Sequence, residues 1–255
     1  MNVRLTRREG SALPSARRLF ATLAPALGRS RFWFVRKAPD LRLRLPAHSP
    51  REGRRLAAAL AACRRERVVA RWFFSTYEPE VFQFGGPRAL PLVHRYFAAD
   101  SLAWLAWDRL TEAGATSLTP SLLSAGVLND LFVSTVDGPE EVWDVWCNLA
   151  RMHEPETLVG PAGVGAITLA ELAPLVSPAE RRLLARQARA NRALATGLGR
   201  LWGQGLLGCG LRAILPFVAL FHWNRFGLGR PASGRICAAM MAATSPKRGL
   251  RGASV

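Results

Sequence analysis

Lysine is almost missing from this 255-residue chain: only Lys37 and Lys247 occur, and arginine supplies the rest of its 35 basic side chains. Against 18 acidic residues the net charge is +17, so the chain attracts anions over a Debye length, whether nucleic acid, an anionic membrane surface or an acidic peptide. Arginine grips carboxylates and phosphates bidentately where lysine acts as a point charge, although codon usage in a GC-rich genome produces the same bias. Cysteine is sparse too. Cys63, Cys147, Cys209 and Cys237 are widely spaced with no C-x-x-C, which excludes a disulfide framework and a zinc module and points to a reduced cytoplasm. The N-terminus runs through Arg4, Arg7, Arg8, Arg17 and Arg18 with no uninterrupted apolar stretch, so no signal peptide is expected. Leu206 to Trp223 is the one long apolar run, and Arg212, Pro216 and His222 break it, which favours a buried helix over a membrane span. There is no P-loop, no G-x-S-x-G elbow, no H-E-x-x-H and no internal repeat, and GPAGVG at 160–165 lacks the strand that a dinucleotide-binding turn requires. No metal or cofactor is expected.

What is present begins with enough apolar residues, 49%, to build a core for one large domain or two small ones. Charge is unevenly distributed: residues 1–71 carry 18 basic and 4 acidic side chains, 72–171 carry 4 and 13, and 172–255 carry 13 and 1. Two basic segments therefore flank an acidic middle. Phe32 and Phe34, then Leu41, Leu43 and Leu45, alternate as half-buried strands do, which projects Arg42 and Arg44 from one face about 7 Å apart. Ser49-Pro50 opens a helix with Leu56, Leu60 and Cys63 on its apolar stripe. Val68 to Tyr77 reads as a strand, Glu78-Pro79 breaks it, Glu80 to Phe84 resumes extended structure, and Gly85-Gly86-Pro87 turns the chain. Beyond residue 88 the pattern is helical. Asp100 is placed as a cap for DSLAWLAWDRL; Thr119-Pro120 opens another helix; Asp137 to Glu140 resembles a capping box and Ser177 to Glu180 is a clearer one; and a last long helix spans about Leu201 to Arg225, ended by Gly227 or Gly229. The expected fold is α+β, an N-terminal antiparallel sheet with crossing helices followed by a mostly helical C-terminal half. It forms one domain over residues 1–243, with a disordered tail over 244–255.

The histidines divide by context. His48 and His153 fall in polar turns expected to be exposed, and His94 lies on a helix face as a structural histidine. His222 ends the apolar run, directly before Trp223, Asn224 and Arg225, so an imidazole, an amide and a guanidinium converge where a helix surfaces. A second polar cluster, Tyr77, Glu78, Glu80 and Gln83, stands beside the Gly85-Gly86 turn, where backbone can approach a ligand. Each has a plainer reading as a solvated strand face, a core histidine or an edge ion pair.

RLRL at 42–45, YEPEVFQFGG at 77–86, FAADS at 97–101 and FHWNRFG at 221–227 together resemble the small C-terminal elimination domain of lantibiotic dehydratases. That domain also occurs as a free-standing thiopeptide-type bacteriocin biosynthesis protein. The likeness covers roughly residues 30 to 230. It implies a lyase that acts on a ribosomally made precursor peptide whose Ser or Thr has been glutamylated by a glutamyl-tRNA-dependent ligase, and that expels glutamate to leave dehydroalanine or dehydrobutyrine. By the same resemblance Arg44 and His222 are the catalytic candidates, and Arg42, Glu80, Gln83, Asn224 and Arg225 the substrate-binding ones. Gln83 stands where the family carries arginine, and Phe84 where it carries tyrosine. A pyridine synthase of the same fold, joining two dehydroalanines in a formal [4+2] cycloaddition with release of the leader, is the first alternative. A non-catalytic basic module for leader peptide or tRNA is the second, based on the N-terminal charge and on Trp72, Phe73 and Phe74 among arginines. No nucleic-acid motif accompanies it, and direct tRNA binding is not expected.

Overall fold

In a computed structural model of the chain, described for residues 1–7, 13–27, 32–37, 40–45, 49–153 and 166–246, two compact units form, Met1–Pro79 and Glu80–Val255. The architecture is the expected α+β one, with the strands N-terminal and the remainder helical. His48, GPAGVG at 160–165 and residues 247–255 of the tail lie outside the described residues.

In the first unit the period-two alternation becomes a four-stranded antiparallel sheet in the order β2-β3-β1-β4, formed by β1 (Asn2–Leu5), β2 (Trp33–Lys37), β3 (Asp40–Arg44) and β4 (Val69–Phe73). Two helices, α1 (Leu13–Leu27) and α2 (Pro50–Arg65), complete it. Neither β1 nor α1 was anticipated from the sequence. Val3, Leu19, Leu23, Phe34, Leu43 and Leu60 are wholly buried, and Phe20 of α1 lies against Phe34 with ring centroids 5.0 Å apart. α2 starts at Ser49-Pro50 as expected, and Glu52 adds what was not expected, a reciprocal capping box with Ser49.

The second unit is a helical assembly: α3 (Leu90–Glu112), α4 (Pro120–Val133), α5 (Pro139–Ala150), the single turn α6 (Leu169–Leu172), α7 (Pro178–Gly203), α8 (Leu211–Phe226) and α9 (Arg230–Thr244). The α3 helix packs on both α7 and α8. The strand expected over Val68–Tyr77 ends at Phe73, where the chain leaves the ladder with β1, and α5 starts at Gly138 (φ +83°) with no side-chain cap, so the box expected at Asp137 to Glu140 does not form. Three further departures concern the interior of the second unit. Asp100 does not cap a helix; it is interior to α3 and buried, where His222 and Arg225 of α8 bond its carboxylate. The helix expected over Leu201–Arg225 is two helices, because Gly203, Gly205 (φ +66°), Gly208 and Gly210 make residues 204–210 a turn. Glu80 to Phe84 is not extended: Phe82–Phe84 is a 3-10 turn that places Phe84 in the core, edge-on to Phe97 at 5.4 Å and to Phe221 at 5.3 Å. Gly85 follows at φ +85°, and a Cβ there would sit 2.6 Å from Cδ1 of Ile214 on α8, so both conformation and space demand glycine. None of the described helices is long and apolar enough to cross a membrane.

Candidate functional site

Each unit carries its own cluster of the residues singled out above. In the first, Arg42 and Arg44 lie half-buried on one face of β3, alternating with buried Leu41 and Leu43 as the strand period requires. Across the ladder Arg42 faces Val35 and Arg44 faces Trp33. After β4 the chain returns over this face: Ser75 accepts a hydrogen bond from Asn2 Nδ2 at 2.6 Å, and the Tyr77 ring stands 4.4 Å from the Arg44 guanidinium and 5.6 Å from the Trp33 ring. Tyr77 thus orients Arg44 by cation–π stacking. The Met1 ammonium nearby has its pKa lowered, by burial first and then by the charge of Arg44, so the local field is positive.

In the second unit a charged network lies in the interior. Asp100 on α3, Ser124 on α4, and His222 and Arg225 on α8 are all 0% exposed. Asp100 Oδ1 lies 2.8 Å from His222 Nδ1, and Arg225 Nε donates to Oδ2 at 2.6 Å. His222 Nε2 lies 3.0 Å from Ser124 Oγ, which also accepts from Trp223 Nε1 at 2.9 Å. The Asp100 carboxylate can only accept, which places an imidazole proton on Nδ1, facing it. The Arg225 guanidinium lies 4.5 Å from the Phe97 ring, itself stacked on Phe221 at 5.0 Å. Burial raises the Asp100 carboxyl, but His222 and Arg225 outweigh it, and its pKa falls below the ordinary value. Burial, then the Asp100 charge, pushes the Tyr96 hydroxyl well up.

The order Asp100, His222, Ser124 is that of an activated nucleophile, yet Ser124 has no exposed surface for a substrate to meet. The network joins α3, α4 and α8 and holds α8 in position. His222 and Arg225, expected where a helix surfaces, are enclosed by it, while Asn224 between them is half-buried. Glu80 and Gln83 are exposed, and the Glu80 charge acts on His94, whose pKa is lowered by burial with Glu80 opposing. His153 is not an exposed turn residue. Its ring bonds the Leu149 carbonyl at 2.9 Å and Ser233 Oγ at 2.8 Å and is buried, because α9 packs over the end of α5. Among the described residues no group of His, Cys, Asp and Glu is arranged to hold a metal ion.

Sequence reasoning missed Asp100 as the centre of this network, and Ser124 with it. A signal existed for the first: an acid set between Phe97 and Trp104 on an apolar helix, with no basic residue one turn away, must find its countercharge elsewhere in the fold.

No curated protein matches the chain in sequence. Among solved structures it is similar to the tRNA dependent lantibiotic dehydratase MibB from Microbispora sp. 107891, with a TM-score of 0.66 and 16% sequence identity. The likeness covers 98% of this chain but only 28% of that one, and at such identity it speaks for the fold alone. Sequence gives the family itself: residues 13–244 match the lantibiotic biosynthesis dehydratase C-terminal family, and the chain belongs to it.

Proposed function

We propose that the chain is a lyase of ribosomal peptide biosynthesis that eliminates glutamate from glutamylated Ser or Thr of a precursor peptide. Family membership ties it to lantibiotic-type peptide modification; the observation that carries the finer reading is the Arg42–Arg44 pair, with Arg44 stacked on Tyr77. Elimination passes the Cα proton to solvent water, turns the freed C–H electron pair into the Cα=Cβ bond, and breaks the Cβ–O bond so that glutamate departs as a carboxylate. Two guanidinium groups on one sheet face are suited to a ligand that carries a second carboxylate and gains charge as it leaves. Glu80, Gln83 and Asn224 are the remaining substrate-facing candidates, since all three retain exposed surface. His222 and Arg225 serve as positioning residues through Asp100, rather than as groups that touch substrate. The substrate comes from a glutamyl-tRNA-dependent ligase, and the work is done in the cytoplasm.

The test is mass spectrometry of a glutamylated precursor incubated with the protein. Loss of glutamate with wild type, slowed about tenfold to a hundredfold in Arg44→Ala, is the expected result; glutamyl adducts that persist with wild type overturn the reading. Gln83, exposed where the family has arginine, favours the pyridine synthase as a second reading. A bis-dehydroalanine peptide in the same assay reports it by release of the leader.

A further inference from the structure

A cleft of about 300 Å³ opens between α3 and α7, on a part of the second unit that none of the candidates above uses. Ala99, Leu102 and Ala106 of α3 and Leu183, Arg186 and Gln187 of α7 line it. The alanines keep the floor low, and Leu102, 56% exposed, stands at its edge as an aliphatic contact that no described residue covers. Gln187 is the unusual member. It is 1% exposed; its Nε2 donates to Tyr96 Oη at 3.2 Å and Asn191 Oδ1 at 3.4 Å, while its Oε1 is buried with no hydrogen-bond partner among the described residues. A buried amide oxygen left unanswered costs about 1–3 kcal/mol, which a ligand donating an N–H would recover.

The rim is cationic. Arg95 and Arg109 share a helix face with Ala99, Leu102 and Ala106, at steps of four, seven, eleven and fourteen residues. Arg182, Arg186 and Arg189 project from α7, whose single acid, Glu180, is buried. All five arginines are exposed, and among the described residues none is in an ion pair.

We propose that this cleft docks an acidic peptide through one apolar anchor. An aliphatic side chain sits on the Ala99–Ala106–Leu183 floor beside Leu102, its backbone N–H answers Gln187 Oε1, and flanking carboxylates reach the arginines on both sides. Phosphates offer acceptors only, so a nucleic-acid backbone satisfies the rim but neither the floor nor Gln187. On the precursor-peptide reading above, on which this identification rests, the occupant is an acidic stretch of the precursor outside the residues that are dehydrated.

Fluorescence anisotropy of the whole chain with a labelled Glu-Glu-Leu-Glu-Glu peptide tests the site without any elimination step, so its outcome and that of the lyase assay are separable. Expected results are a loss of about tenfold in affinity when the probe leucine becomes serine or when Ala106→Phe fills the cleft. A loss of about fivefold is expected when the leucine amide is N-methylated, and likewise for the Arg182→Glu/Arg186→Glu double variant. The N-methyl probe leaves the protein unaltered, so misfolding cannot mimic its effect. An equal loss from Arg51→Glu/Arg55→Glu on α2, or indifference to the leucine and its amide, overturns the proposal in favour of general charge attraction. Displacement of the probe by bulk tRNA that is equally effective against wild type and Ala106→Phe assigns the rim to nucleic acid and overturns it too.

Discussion

Asp100 answers to an imidazole and a guanidinium at once, and its burial makes that arrangement costly to disturb. Removing Asp100 strands the Arg225 guanidinium as an uncompensated interior charge, which costs about 3–5 kcal/mol. Asp100→Ala should therefore lower stability by that order in urea unfolding, and His222→Ala, which keeps the Arg225 pair but leaves Asp100 Oδ1 and Ser124 short of a hydrogen-bond partner, should cost about 1–3 kcal/mol. Arg44→Ala should differ in kind: its cation–π contact with Tyr77 at a half-buried site is worth about 0.5–2 kcal/mol, so the fold should survive while activity falls. If His222→Ala unfolds at the wild-type urea midpoint yet loses all activity, the positioning role is wrong and the ring itself meets substrate. Gln83 tests the opposite direction: Gln83→Arg, restoring a guanidinium at an exposed position, should speed glutamate loss under the lyase reading and leave stability within about 0.5 kcal/mol.

Among the elements, α7 shows how a helix start stores pH-dependent stability. Glu180 closes the capping box with Ser177 and also accepts from Thr116 Oγ1 at 2.7 Å and from the Ser117 backbone at 2.9 Å. Burial pushes its carboxyl up, but the hydrogen bonds from Thr116, Ser177 and Ser117 outweigh that and hold the pKa at about 2, against 4.5 ordinarily. A depressed carboxyl contributes stability that is complete above the ordinary value and disappears as pH falls through the native one. Glu180→Gln should thus cost about 3 kcal/mol at pH 7, with the difference from wild type closing between pH 4.5 and about 2 in thermal melts. This box was legible in the sequence because Ser-Pro-Ala-Glu is a local device, and the same holds for the Ser49-Pro50 start of α2 and for the alternation in β3 that set Arg42 and Arg44 side by side. What escaped was non-local. Nothing near Asp100 announces His222, and β1 is a four-residue strand whose pairing with β3 and β4 spans most of the first unit. The four glycines over 203–210 were visible, yet the apolar residues between them suggested a continuing helix.

At the scale of the whole molecule, the four cysteines are free thiols, three of them buried, and Cys209 alone half-exposed. Burial raises the Cys209 pKa too, and its Sγ bonds the Phe82 carbonyl at 3.6 Å. A thiol reagent at pH 7 should accordingly titrate one group slowly in the native chain and four after denaturation, and reductant should leave the melting temperature unchanged. The charge distribution sharpens in the same way. The +17 that at first admitted any anionic partner is divided among specific places, the Arg42–Arg44 face and the α3–α7 rim among them.

The Asp100 network also bears on how the chain is made. Its carboxylate waits for His222 and Arg225, which follow 122 and 125 residues later. As the polypeptide leaves the ribosome, α3 emerges long before anything can neutralise that charge, so the second unit cannot close its interior until α8 has been synthesised. A nascent chain halted before residue 222 should remain open to protease, however many of its helices have already formed.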